Sequence, residues 1–170
     1  MITIERAGIN DVELLSHMGK ETFIAAHWHS APMPVLLEYA DQKYEPTILT
    51  NEIANPQTIY HLVYKHGQVA GYSKIVLNSK APDGNTQTTQ LDRLYLLKDY
   101  FKQGIGEQLL THNIDLSKAN GQSGIWLNVW TKNLRAIDFY AKNGFESYRK
   151  VNFKITETHY NDALQMILSF

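Results

Sequence analysis

The stretch "YFKQGIGEQLL", Tyr100 to Leu110, sets Gly104 and Gly106 one residue apart where an apolar strand pattern gives way to a helical one. The first amides of a helix lack intrahelical acceptors and carry partial positive charge, so glycines that admit a close approach make such a start an anion seat. A plain strand-to-helix turn also wants glycine, and within this segment both readings stand. Neither common nucleotide motif fits, because G-x-x-x-x-G-K-[ST] is absent and Leu109 stands where a dinucleotide fingerprint needs a third small residue. Two other positions bear chemistry. Tyr140 is a phenol that stays protonated at neutral pH, either a proton donor or a core aromatic with its hydroxyl on the backbone. Asp92 is either a carboxylate able to relay a proton through water or the ion-pair partner of Arg93. His27 and His29 share a face only in an extended segment, and with no third ligand in view no metal is expected.

The elements that must position these groups are readable from periodicity. "MITIERA" alternates as a strand, and "INDVELLSHMGKETF" reads as a helix with Asn10 as N-cap, Glu13 closing a capping box, and Ile9 stapled to Leu14. From Trp28 to Asn55, Pro32, Pro34 and Pro46 punctuate "VLLEYA" and "ILTNEIA", which predicts one or two short helices on a mobile segment. "TIYHLVYK" and "VAGYSKIVLN" flank a short glycine turn and predict an antiparallel hairpin. In the central strand "TTQLDRLYLL", Leu91 has one parity and Leu94 and Leu96 the other, as an extra bulge residue between them would produce. A helix follows the glycines and closes at Asn120-Gly121; "SGIWLNVW" is a strand. "NLRAIDFYAKNG" is a helix capped by Asn133, with Ile137, Tyr140, Ala141 and Gly144 at i, i+3, i+4, i+7. "FESYRKVNFKI" and "DALQMILSF" are two last strands, the second an exposed strand suited to pairing or swapping in a homodimer. The order predicts a mixed α/β sheet with helices on its faces, in a single domain over residues 1–170.

Composition narrows the class. The chain has 170 residues, net charge -1 and 19% charged residues, so no basic footprint for nucleic acid is present. The absence of any cysteine removes disulfides, zinc–thiolate sites and thiol nucleophiles, leaving catalysis to oxygen and nitrogen groups or the backbone. No stretch reads as a signal peptide or a membrane span, and a cytoplasmic location is expected.

Taken together, "LDRLYLLKDYFKQGIGEQLL", "IWLNVW" and "NLRAIDFYAKNGF" resemble the GNAT superfamily of N-acetyltransferases, over about residues 55–150. The middle segment matches the layout of its coenzyme A loop and the last its Asn-x-x-Ala-x-x-Phe-Tyr-x-x-x-Gly-Phe helix. "ETF", "LDRLYLL" and "IWLNVW" look most like the bacterial PaiA-type polyamine acetyltransferases. The resemblance implies the acyl-CoA N-acyltransferase fold, with a mostly antiparallel sheet whose central strands splay. It implies acetyl-CoA as cosubstrate, its pyrophosphate held by the amides of Lys102, Gln103, Gly104, Ile105, Gly106 and Glu107. Leu94, Tyr95 and Leu96 would then lie along the pantetheine arm and the thioester oxygen, Asn133 would donate to the coenzyme, and Tyr140 would protonate the departing thiolate. The chain departs from the pattern at two places: Phe101 stands where the family has Arg or Gln, and Gln90 where many relatives place a basic glutamate, which leaves either Asp92 acting through water or an amine that arrives already neutral in a small fraction. The implied acceptor is a primary amine, with spermidine or spermine favoured if Glu21, Glu38, Asp41 and Glu45 cap its site. A protein N-terminus or lysine is the alternative acceptor, and a non-catalytic acyl-CoA-binding module is the alternative from another class.

Overall fold

A computed structural model of the protein describes residues 1–170. Strand β1 (Ile2–Arg6) leads through a 3-10 turn into helices α1 (Val12–His27), α2 (Met33–Lys43) and α3 (Pro46–Ala54). Strands β2 (Thr58–Lys65), β3 (Gln68–Ser79) and β4 (Thr88–Leu96) follow, then α4 (Ile105–Ala119), β5 (Gly124–Trp130), α5 (Leu134–Lys142), β6 (Glu146–Lys154) and β7 (Tyr160–Ser169). The seven strands form one sheet in the order β1-β2-β3-β4-β5-β7-β6. Every neighbouring pair is antiparallel except β4 and β5, whose parallel alignment needs the crossover that α4 supplies.

Side-chain alternation along β2 sends Tyr60 and Leu62 into a cluster with Leu15, Met18, Leu36, Leu49 and Tyr72, roofed by α1, α2 and α3. Ile59 and Val63 point the other way, toward clusters that include Ile105, Leu109 and Leu110 of α4 and Tyr140 of α5. Helices therefore cover both faces, as the segment order predicted. The region around Pro32, Pro34 and Pro46 forms two helices, each with proline in its first turn, and Leu36 and Leu49 are fully buried.

The central strand carries the expected bulge. Lys74 pairs with Arg93 but Ile75 pairs with Leu91, so Asp92 is the extra residue. The insertion puts Leu91, Leu94 and Leu96 on the α4 side while Arg93 and Tyr95 look toward α1, α2 and α3. Strands β4 and β5 are paired only at Thr89–Ile125 and Gln90–Trp126, and beyond that point they part.

Four expectations are corrected. The start of α1 is not capped by Asn10: the Gly8 N–H donates to the Asp11 carboxylate at 2.8 Å, and the 3-10 turn from Ile9 to Asp11 takes up the first residues. Ile9 is 57% exposed, so no staple to Leu14 forms. On α5 the inward face is Ala136, Ile137, Phe139 and Tyr140, with Ala141 exposed, because the helix starts only at Leu134 and ends before Asn143. The C-terminal strand is not an edge either. β7 lies between β5 and β6, hydrogen-bonded on both sides, so it has no free edge for a second copy; the free edges belong to β1 and β6.

Candidate functional site: a backbone cradle beside a charged cavity

At the start of α4 the chain turns through two left-handed residues, Lys102 at φ 60° and Gly104 at φ 74°. Gly104 is required there, since a side chain in this region is strained. Gly106 has no such demand: its φ is ordinary, and an added Cβ would lie 3.6 Å from Leu96 and 3.8 Å from Phe139, normal contact distances. The turn explains one glycine and leaves the other to a different purpose. The first backbone hydrogen bond of the helix runs from Gln108 N–H to the Gly104 carbonyl at 3.1 Å, and the amides of Lys102, Gln103, Gly104, Ile105, Gly106 and Glu107 have no acceptor within the protein. An exposed run of unpaired amides at a helix start suits an anion.

The loop around these amides is held in place. Ile105 is completely buried against Val63, Ala70 and Leu109, so only its amide is available to a ligand. Gln103 accepts from Lys65 Nζ and donates to the Asp99 carbonyl at 2.7 Å, so its side chain braces the turn. Phe101 carries the Arg135 guanidinium 4.1 Å above its ring, tying the loop to α5. Asn133 caps α5, its side-chain oxygen accepting the Ala136 N–H at 3.2 Å, which leaves its amide hydrogens free. Tyr140 is 9% exposed between Phe139 and Phe145, and burial alone raises its pKa, so the hydroxyl is a donor at every ordinary pH.

On the opposite face, where β4 and β5 diverge, lies a cavity of about 260 Å³. It lies between the α1–α2 region and the β6–β7 end of the sheet, with Gln90, Asp92, Arg93 and Tyr95 of β4 and Asn128 and Trp130 of β5 on its walls. Lys74 Nζ bridges two carboxylates, Glu52 at 2.8 Å and Asp92 at 3.0 Å. Arg93 approaches Asp92 at 3.5 Å, donates to the Tyr60 hydroxyl at 3.0 Å and stacks 4.4 Å over Tyr44. Asp92 keeps 31% of its side chain exposed, but it lines the cavity, whose walls desolvate it. That desolvation would push its pKa up; the ammonium of Lys74 and the guanidinium of Arg93 outweigh it and hold the carboxyl below its usual range.

His27 also faces this cavity, at the end of α1. Its Nε2 sits 3.2 Å from the Tyr95 hydroxyl, its ring stacks on Phe23 at 4.7 Å, and burial lowers its pKa to about 4, so it is neutral at pH 7. The Asn128 side-chain oxygen is buried without a hydrogen-bond partner.

The structure thus gathers the glycine loop, Leu94, Leu96 and the α5 residues on one side of β4, and leaves Asp92 and Tyr95 toward the cavity. Glu21, Glu38, Asp41 and Glu45 are exposed and do not line it, and Asp41 is spent on Lys20 at 3.0 Å. Lys43, Glu52, Lys74, Asn128 and Asp162 do line it, and sequence reasoning passed over all of them. Lys74 alone had a signal, a lysine within the apolar run of β3.

A sequence model described as the Acetyltransferase (GNAT) family matches residues 22–145. An uncharacterised N-acetyltransferase of Lactobacillus delbrueckii subsp. lactis is 24% identical over 164 residues, covering 96% of this chain and 95% of its own. The ribosomal protein bS18-alanine N-acetyltransferase of Escherichia coli K12 is 38% identical over 71 residues, 41% of this chain and 48% of its own. Among solved structures, the PaiA N-acetyltransferase of Thermoplasma acidophilum in complex with coenzyme A superposes with a TM-score of 0.82 at 22% identity, covering 100% of this chain and 99% of that one. The family model covers most of the chain, including the unpaired amides and the splayed strands, and on that ground the protein belongs to the GNAT family of acetyl-CoA-dependent N-acetyltransferases.

Proposed function

We propose that the protein moves the acetyl group of acetyl-CoA to a primary amine by direct attack in a ternary complex. The run of unpaired amides from Lys102 to Glu107, beside the opening between β4 and β5, carries this reading. Pyrophosphate bound there lets the pantetheine arm run along Leu94, Tyr95 and Leu96, where the β4 edge facing β5 has no partner strand. The thioester then meets the cavity at the divergence.

There the neutral amine attacks the thioester carbonyl and the carbon–sulfur bond breaks. An alkylammonium has a pKa near ~10.4, and a carboxyl held below its usual range is a poor base for it. Asp92 therefore serves to anchor Lys74 and Arg93 and to order water, and the small neutral fraction of the amine is what reacts. The amine proton leaves to water. Tyr140 donates its hydroxyl hydrogen to the sulfur. Because burial raises the phenol's pKa, its main contribution is a hydrogen bond to the charge forming there.

A polyamine such as spermidine or spermine is one acceptor for this reaction; a protein N-terminus or lysine is the other, and the similarity to the bS18-alanine N-acetyltransferase supports the N-terminus. Thiol release from acetyl-CoA, measured across amines with the wild type and with Tyr140→Phe, tests the reading. Release that falls in kcat with Tyr140→Phe supports transfer, whereas coenzyme binding without release from any amine leaves only a binding module.

A further inference from the structure

Two buried side-chain atoms on the cavity wall lack hydrogen-bond partners, Nδ1 of His27 and Oδ1 of Asn128. They flank the gap where β4 and β5 part. His27 is tied to the β4 side through the Tyr95 hydroxyl, 3.2 Å from its Nε2, and Asn128 stands on β5 just past the last residue paired with β4, Trp126. Trp130, the next residue of β5 on the same face as Asn128, carries its ring 6.0 Å from that of His27, so both orphaned atoms belong to one end of the cavity. A buried polar atom without a partner costs free energy, and a molecule that supplies the partner removes that cost.

The sheet side of the cavity is apolar beyond these two atoms. Register places Asn128, Gln165 and Arg149 in one row of the face and Trp130, Ala163 and Val151 in the next, with Asn161 and Phe153 beyond. Ala163 is the small member, so a hollow floored by its methyl group opens between the rings of Trp130 and Phe153, and all three line the cavity. Asp162, of opposite parity, turns its carboxylate to the other face of the sheet. Across from the hollow the ions are already engaged with one another. Lys74 bridges Glu52 and Asp92, Arg93 meets Asp92 and lies over Tyr44, and Lys43 acts on Asp92 from a position over the Tyr39 ring.

We propose, building on the transferase reading above, that the acceptor is a primary amine carried on a flat apolar body, its two N–H groups accepted by Asn128 Oδ1 and His27 Nδ1 and its body laid on Ala163 between Trp130 and Phe153. A neutral primary amine has two N–H bonds and one lone pair. Two acceptors at the gap take the N–H bonds and leave the lone pair for the thioester carbonyl. Nδ1 accepts when Nε2 carries the ring proton and donates it to the Tyr95 hydroxyl, so Tyr95 is the positioning residue that sets the tautomer. The bonds made and broken are those of the transfer described above; His27 and Asn128 orient the nitrogen and take no proton from it. An acceptor with a second charge meets no free counter-ion here, and the desolvation of that charge goes uncompensated. A polypeptide needs a groove longer than a cavity of about 260 Å³.

The test is thiol release from acetyl-CoA with 2-phenylethylamine, its N-methyl derivative, propylamine, β-alanine, spermidine and a short peptide beginning with alanine. The wild type should favour 2-phenylethylamine over propylamine in kcat/KM by about tenfold, and over the N-methyl amine by about tenfold. Phe153→Ala, at an exposed position of the edge strand β6, should shrink the first preference, and Ala163→Leu, which fills the hollow, should erase it; thermal melts confirm that each variant is folded. His27→Asn keeps a side-chain oxygen near the Nδ1 position and should retain the second preference, whereas His27→Gln, which keeps only the contact to Tyr95, should lose it. Propylamine, β-alanine, spermidine or the peptide used as well as 2-phenylethylamine overturns the inference and leaves acetyl transfer standing. So does a loss in Phe153→Ala and Ala163→Leu that is equal for 2-phenylethylamine and propylamine. No release from any amine overturns both.

Discussion

The two sides of β4 offer different means of binding. On the α4 side the groups left open are main-chain amides fixed by a buried anchor, Ile105, and a braced loop. On the cavity side stand side-chain charges drawn from α2, α3, β3 and β4. Amides hold any pyrophosphate regardless of the residues that carry them, so that side suits a cosubstrate that never changes. A wall of charges is altered by a single substitution, so that side is where acceptor choice can vary while the fold stays put.

The sharpest separation between the sides comes from Tyr140. If it serves the sulfur, Tyr140→Phe should lower kcat about a hundredfold while coenzyme A affinity, measured by calorimetry, stays within a few-fold of wild type. Equal losses in affinity and rate would mean the ring matters as packing between Phe139 and Phe145, and the division of labour along β4 would collapse.

Lys74→Met probes the cavity side. It removes the cation between Glu52 and Asp92 and leaves two partly buried carboxylates facing one guanidinium, which should cost about 3 kcal/mol of stability. Denaturant melts read this directly. Below the melting range, coenzyme A affinity should be unchanged, because no amide of the α4 cradle touches this network; a parallel loss of affinity would show that the sides are coupled through β4.

Gly106→Ala probes the other side with effects of opposite sign. The site has an ordinary φ and room for a methyl group, so alanine in the first turn of α4 should raise stability by about 0.5–1 kcal/mol. The same methyl group would stand against Leu96 and Phe139, beside the path proposed for the pantetheine arm, so coenzyme A should bind more weakly. A variant that is both more stable and equally tight would return Gly106 to an accident of the turn.

This contrast also explains what was legible in the sequence. Glycine spacing, helix starts and the parity break between Leu91 and Leu94 are local, and each maps onto the cradle or the Asp92 bulge. The cavity is assembled from residues more than a hundred positions apart, Phe23 and Asn161 among them, and nothing local marks them as neighbours. Glu21, Glu38, Asp41 and Glu45 are acidic residues of the same stretch, yet α1, α2 and the turn before α3 leave them in solvent. The position of β7 failed for a related reason, since strand order within a sheet is set by long-range pairing that the pattern "DALQMILSF" does not encode.

Acid should act on both sides through one buried histidine each, with the smaller single-site effect. His27 borders the cavity; His61 on β2 lies beneath α4, with His112 4.5 Å away across the rings and its Nδ1 3.2 Å from the Asn113 side-chain oxygen. Burial lowers the pKa of His61 to about 4, with His112 and Arg6 pushing the same way and the bond to Asn113 opposing them. The unfolded chain, with a histidine pKa near ~6.5, therefore binds more protons than the folded one between the two values. Stability from keeping His61 neutral is full above about pH 6.5 and is lost as pH falls toward 4. At pH 5.5 the loss at this one site is about 1 kcal/mol. Melting temperatures of the wild type and His61→Gln, compared at pH 7.5 and 5.5, isolate it: glutamine keeps a polar partner for Asn113 but does not titrate, so the variant's acid-induced drop should be smaller. An identical drop in both proteins would assign the acid sensitivity to the cavity side and His27, and α4 would then hold its cradle across the whole range.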